Sequence, residues 1–390
     1  MSEAAKAPED LVRQAHEAFR RGDAARAFGL LAEAEAVFPR DLSIKLQKAM
    51  IRRAMGDLSG ALAALDEALD IDPYDYVSLL SKAGLVEQIS GERAAAAIYK
   101  NALKIAPADD KIPAAFRRPT ERARDLVART TERLDEYLRE KTAEASSDVS
   151  EAARRRFDEA IGVLTGKRKV YVQEPLLLHY PQLPAIPFYD RSHFPWLEEL
   201  EAATDVIREE MLVAMEKAGD AFAPYIAYPK GAPVNQWEEL NHSRRWSSFF
   251  LWKDGVRQDG ACELCPRTAD LLNRLPMARQ NGFAPTAMFS ALEAHTHIPP
   301  HTGSTNARLL CHLPLVLPGP ARFRVGNETR DWKMGQAWVF DDTIEHEAWN
   351  DADELRVILI IDVWNPYLEP AERELITTLL QARNEFFATN

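Results

Sequence analysis

FGLLAEAEAVFP (28–39), LAALDEALDIDP (62–73) and AIYKNALKIAP (97–107) are one phrase set down three times. Pro39, Pro73 and Pro107 close the copies at a spacing of 34 residues. Proline has no N–H with which to continue a helical ladder, so each copy reads as a helix stopped at its proline. Gly22, Gly56 and Gly91 stand near the middle of each unit, where glycine tolerates the backbone of a turn between two helices. Ala15, Ala49 and Ala83 keep the first helix of each unit slim enough to lie close against the second. A fixed period of this length predicts stacked helical hairpins over residues 1–110, each burying its apolar side on the next.

Residues 111–168 keep helical periodicity but are richer in charge, as in ERARDLVAR (121–129), and are expected to cap and connect. Ser146-Ser147-Asp148 reads there as a helix cap or break. At about Lys169 the character changes, with Pro175, Pro181, Pro184 and Pro187 among Tyr171, Tyr180, Phe188 and Tyr189. One helix is expected at Trp196–Ala218. Beyond it, short β-branched and apolar runs occupy Trp246–Lys253, Thr286–Ala294, Ala307–Val316, Ala321–Val325, Ala337–Phe340 and Arg356–Val363. Turn residues separate them, the pattern of an all-β sandwich or barrel rather than of alternating strand and helix.

The 390 residues include 46% apolar and 28% charged side chains, which fits two or three globular domains. A net charge of −12 argues against a nucleic-acid surface, which needs a basic face. No apolar run reaches the ~18–20 residues of a membrane span. MSEAAKAPED at the start lacks the apolar core of a signal peptide, so a cytoplasmic location is expected. Three cysteines make no disulfide framework, and Cys262 and Cys265, a C-x-x-C without a second pair, read as ordinary reduced thiols. No Gly-rich phosphate loop opens a helix, which disfavours a nucleotide enzyme.

Five of the nine histidines fall between positions 295 and 346. His301 sits in Pro300-His301-Thr302-Gly303, His346 in FDDTIEHEAWN (340–350), and Arg356 opens the apolar run VILIIDVW (357–364). Two neutral imidazoles can hold a divalent metal and leave coordination positions open, and a buried guanidinium can grip a carboxylate with two charge-assisted bonds. Arg308, Leu310 and His312 share parity and project to one face of a strand. Taken alone, His301 reads as a solvent-facing turn histidine and His312 as either core or site, while His295 and His297 read as local hydrogen-bonders near the site mouth.

The 34-residue repeat resembles tetratricopeptide repeats, which implies a solenoid whose concave face holds an extended peptide. The order of His301, His346 and Arg356 resembles the aspartyl/asparaginyl β-hydroxylases over about Val170 to Tyr367. Asn327-Glu328-Thr329, FDDTIEHEAWN, Pro187-Phe188-Tyr189-Asp190 and Phe194-Pro195-Trp196-Leu197 carry the same resemblance. It implies a multidomain α and β chain: an N-terminal α-helical tetratricopeptide-like solenoid (1–110), a helical capping segment (111–168) and a double-stranded β-helix, or jelly-roll, dioxygenase domain (169–390). It further implies an Fe(II)- and 2-oxoglutarate-dependent enzyme that uses O2 to hydroxylate the β-carbon of Asp or Asn residues in a peptide or protein captured by the repeats. In that reading His301 and His346 bind the iron. Arg356 and Ser290 hold the distal carboxylate of 2-oxoglutarate, His312 contacts it, Trp252 lines the pocket, and Arg308 faces the substrate carboxylate.

Gly303 stands where most two-histidine iron sites carry a carboxylate, a vacancy that this family shares. Asp341 and Asp342, in the turn before His346, are not expected to fill it. Leu310 departs from the family, whose animal members carry a second arginine there. Hydroxylation of a free amino acid or a lipid acyl chain stays open as an alternative, as does a non-catalytic peptide-binding scaffold.

Overall fold

Asp23, Asp41, Asp57 and Asp75 each accept a backbone N–H three residues on, and each starts a helix. A computed structural model describes residues 8–145 and 148–388, in two compact units divided between Arg168 and Lys169. The first unit pairs α1 (Pro8–Arg20) with α2 (Ala24–Val37), α3 (Leu42–Ala54) with α4 (Leu58–Ile71), and α5 (Tyr76–Ser90) with α6 (Glu92–Lys104). Gly22, Gly56 and Gly91 turn the three hairpins at φ values of +85°, +81° and +86°. Each core is shared between neighbours: Ala15, Ala27 and Leu31 pack with Ile44 and Ile51 of the next hairpin, and Ala49 and Leu65 with Leu85 of the third. This is a tetratricopeptide-like array. Two further helices follow, α7 (Ala114–Thr142) and α8 (Glu151–Thr165), the second capped by Ser150. Ser146 and Ser147 of the expected break lie outside the described residues.

In the second unit the helix expected at Trp196–Ala218 is two, α9 (Leu197–Ala202) and α10 (Thr204–Ala218). The Thr204 hydroxyl donates to the Glu201 carbonyl across the junction, the competition with the helical ladder that hydroxyl side chains offer. Short helices α11 (Asp259–Leu264) and α12 (Pro266–Arg274) and a C-terminal α13 (Pro370–Ala388) complete the helical set. Among the described residues no helix is long and apolar enough to cross a membrane.

Among the described residues eleven strands form two antiparallel sheets: β1 (Ala223–Pro224), β2 (Trp246–Lys253), β3 (Val256–Arg257), β4 (Ala287–Leu292), β5 (Thr296–His301), β6 (Arg308–Val316), β7 (Ala321–Val325), β8 (Glu328–Asp331), β9 (Trp338–Phe340), β10 (His346–Asn350) and β11 (Arg356–Trp364). The larger runs β1-β2-β4-β11-β6-β9, with β3 beside β2; the smaller runs β5-β10-β7-β8. Five of these strands, β1, β3, β5, β8 and β10, were not expected from apolar patterning.

β11 explains the stacking of layers. Val357, Leu359, Ile361 and Val363 pack toward α9 to α12, while Ile358 and Ile360 pack toward Ile298, Phe323, Val325 and Ala348 of the smaller sheet. A strand buried on both faces reads as a continuous apolar run. The residues of the second parity that are not apolar, Arg356 and Asp362, must therefore lie between the two sheets.

Asn350 fixes the short connection from β10 to β11. Its amide donates to the carbonyls of Leu292 (3.0 Å), Glu293 (3.0 Å) and Glu354 (2.8 Å), and its oxygen accepts from Ala352 N–H at 3.2 Å. Asn350→Ala leaves those buried carbonyls unpaired and should cost about 2–4 kcal/mol. Chemical denaturation of the full chain checks this; a loss below about 0.5 kcal/mol would show that the connection holds without the amide.

Candidate active site

Strand alternation lines a cavity of about 170 Å³ between the sheets. β4 contributes Met288 and Ser290, β6 contributes Arg308, Leu310 and His312, and β11 contributes Arg356, Ile358, Ile360 and Asp362. The smaller sheet contributes Ile298, His301, Phe323, His346 and Ala348. Three expected pocket residues of β6 thus share one face.

His301 and His346 are cross-strand partners of β5 and β10, their ring centroids 4.0 Å apart. β5 is an edge strand, which is why Pro299 and Pro300, with no N–H to give, are tolerated just before His301. His301 Nδ1 donates to the Pro299 carbonyl at 2.8 Å and His346 Nδ1 to the Ile344 carbonyl at 3.1 Å. A carbonyl only accepts, so each Nδ1 carries the hydrogen and each Nε2 keeps its lone pair, the tautomer that ligates a metal. Burial holds the His301 imidazole down at about 4 and, together with the neighbouring His301, holds His346 well below the ordinary histidine range. Both rings are neutral at neutral pH. Among the described residues no group of three His, Cys, Asp or Glu side chains could hold a metal.

The space beside Gly303 is not open. A Cβ on Gly303 would stand 1.8 Å from Asp342 Oδ2 and 2.2 Å from its Cγ. Asp342, a residue the sequence reading set aside, thus lies with its carboxyl where a side chain at 303 would begin. Burial and the adjacent Asp341 push that carboxyl well above the usual range.

At the other end of the cavity Arg356 is 1% exposed. Among the described residues its Nε and Nη1 have no hydrogen-bond acceptor and no carboxylate pairs with it. The Trp332 ring lies 4.6 Å from the guanidinium carbon and offers it a π face but no charge. Desolvation alone pushes Arg356 down to about 9. His312 Nδ1, also buried, is unpartnered. Ser290 Oγ accepts from Trp246 Nε1 at 3.1 Å, which leaves the hydroxyl hydrogen free to donate. This part of the wall thus carries polar groups with unused hydrogen-bonding capacity.

Arg308 lies in the same cavity but is paired. Its Nη1 donates to Asp362 Oδ2 at 2.6 Å. Trp252, expected in the pocket, is elsewhere. A register shift between Phe250 and Trp252 reverses the alternation of β2, so Trp252 packs with Phe249 and Leu251 in the core beneath α11 and α12. Trp246, six residues earlier, takes the place at the cavity wall. His295 and His297 are held by Asp353 and Glu347 at 2.9 Å each. Cys262 and Cys265 are free buried thiols, the second pushed up to about 12 by burial.

A family model described as Aspartyl/Asparaginyl beta-hydroxylase matches residues 201–366, which hold every residue of this cavity. The "Ornithine lipid ester-linked acyl 2-hydroxylase" of Rhizobium tropici is 34% identical over 202 residues, 51% of this chain and 67% of that protein. The chain belongs to the aspartyl/asparaginyl β-hydroxylase family. The human "Aspartyl/asparaginyl beta-hydroxylase" is 37% identical over 186 residues, 47% of this chain, and the match spans 23% of its length. The human "Aspartate beta-hydroxylase domain-containing protein 2" is 32% identical over 209 residues, 53% of this chain and 54% of that protein.

Two variants test the site within this family member. Arg356→Met removes a buried charge without a partner, so the metal-free protein should gain on the order of 1–3 kcal/mol. A dianion that pairs with Arg356, tried as 2-oxoglutarate, would at a hundred times its Kd add about 2.7 kcal/mol to the parent alone. Thermal melts with and without the dianion check both halves; a lower melting point for Arg356→Met would show that the charge is satisfied. Gly303→Ala should cost about 1–3 kcal/mol by displacing the Asp342 carboxyl. The double variant Gly303→Ala/Asp342→Ala should recover most of that loss, and additive losses in the same melts would refute the contact.

Proposed function

We propose that this protein is an Fe(II)- and 2-oxoglutarate-dependent dioxygenase that hydroxylates the β-carbon of Asp or Asn residues in a peptide or protein. The observation that carries the reading is the combination, in one cavity, of two neutral imidazoles with committed tautomers and one buried guanidinium without a counter-ion. The donor set fits the group. His301 and His346 would hold the iron, and Arg356 and the Ser290 hydroxyl would hold the distal carboxylate of 2-oxoglutarate, with His312 alongside. When bound, iron and cosubstrate supply the oxidation of a C–H bond by O2.

The chain's own residues do the rest. Arg356, desolvated in advance, pairs with a carboxylate at no further cost in its own hydration. Phe323, Phe340 and Trp332 wall the cavity with rings that exclude water. The Pro299 and Ile344 carbonyls hold the two imidazoles in orientation, so the ligand geometry is preset rather than formed on binding. The strand orders β4-β11-β6-β9 and β5-β10-β7-β8 support reading the two sheets as a double-stranded β-helix. In the first unit a groove of about 420 Å³, lined by Leu46, Met50, Leu65, Val77, Leu85 and Phe116, supports capture of an extended peptide by the repeats.

Anaerobic titration with Fe(II) and 2-oxoglutarate, followed by succinate release in air, tests the reading. Altering a residue that merely orients a metal ligand costs 10–100-fold in affinity, so His301→Ala or His346→Ala should weaken metal binding by more than about 100-fold. Succinate release should vanish with it. Parent-like metal affinity in His346→Ala would remove the ligand assignment.

A further inference from the structure

We infer that the substrate group read beside the two histidines is a neutral carboxamide, that of a peptidyl asparagine, in preference to the carboxylate of a peptidyl aspartate. The inference rests on the function proposed above and narrows its substrate.

The charges on the cavity wall decide it. Arg308 and Arg356 are the cations among the lining residues, and Asp342 and Asp362 are the acids. Arg356 lies with Ser290 and His312 at the end assigned to the cosubstrate, which leaves Arg308 to meet the substrate. Its charge is already matched. Asp362 Oδ2 accepts from Arg308 Nη1 at 2.6 Å and from the Thr286 N–H at 2.7 Å, and the Asp362 side chain is 4% exposed. A pair so buried is not screened by water.

Arg308 still has a donor to give. Its Nε is buried and has no acceptor. A wall whose charge is spent but whose N–H is unspent fits an uncharged acceptor such as an amide oxygen. A carboxylate arriving there would lose its water and find a balanced ion pair instead of a free cation. Leu310, the next residue on the same strand face, adds no charge. The amide NH2 completes the match, because the Asp362 carboxylate places acceptor oxygens on the same wall. A carboxylate or an ester has no hydrogen to offer them. A short side chain is also what a cavity of about 170 Å³ leaves room for.

The test uses the full chain under argon with Mn(II) and 2-oxoglutarate, and two labelled peptides that differ only in Asn or Asp at the target position. Fluorescence anisotropy should give a Kd at least about tenfold lower for the Asn peptide, or 1.4 kcal/mol. In air with Fe(II), mass spectrometry should show oxygen added to the Asn peptide first. Leu310→Arg, which adds an unmatched cation to the same face, should shrink or reverse the preference. An Asp peptide bound as tightly as the Asn peptide overturns the inference alone. So does a preference that Leu310→Arg leaves unchanged. If neither peptide binds while metal and 2-oxoglutarate still do, or if an ester-linked acyl chain binds in their place, the peptide reading itself falls.

Discussion

A guanidinium held between two sheets without a counter-ion is the costliest element of this structure, and the cavity is organised around it. Arg356 opens β11, whose other inward side chains include Ile358, Ile360 and Asp362, so its burial follows from the alternation that builds the core. Among the described residues nothing acidic reaches it. Folding alone gives no reason to keep such a residue, since an apolar side chain would fill the same place at lower cost. A ligand that brings the missing negative charge gives one.

The same alternation couples the sites. β11 carries Arg356 and Asp362 on one face, six residues apart, and the strands beside it carry Ser290 and His312 opposite Ile358 and Ile360. The facing sheet supplies both histidines from neighbouring strands. Because every one of these side chains springs from a hydrogen-bonded strand, the distances between them are set by sheet geometry rather than by loops. The short connection from β10 to β11, tied by Asn350, passes from one sheet to the other and links the strand of the second histidine to that of the arginine.

How much of this was legible in the sequence depended on whether the signal was local. The repeat was readable because a helix stop and a helix turn are written in single residues, Pro39 or Gly56, and recur. β11 was readable because burial on both faces leaves an unbroken apolar run. β5 was not, because His297, Pro299 and Pro300 hide a strand that lies on an edge and donates little. Trp252 was placed on the wrong face because a one-residue irregularity reverses parity without leaving a mark in composition. The partner of Arg308 lay 54 residues away in sequence, and only Asp362, the one acid inside an apolar run and in step with Arg356, hinted at it. Asp342 was visible as a residue but not as a neighbour of Gly303, since that contact joins the turns before β6 and β10.

That last contact makes positions 303 and 342 interdependent over evolutionary time. A lineage that acquired a carboxylate at 303 would first have to move or surrender the one at 342, whose Oδ2 stands 1.8 Å from where the new side chain would begin. Either single step passes through a protein with a clash or with a void, so the two residues are expected to change together or not at all. Glycine at 303 is in this sense half of a two-letter word, and a search among relatives for substitutions at one position should be read only alongside the other.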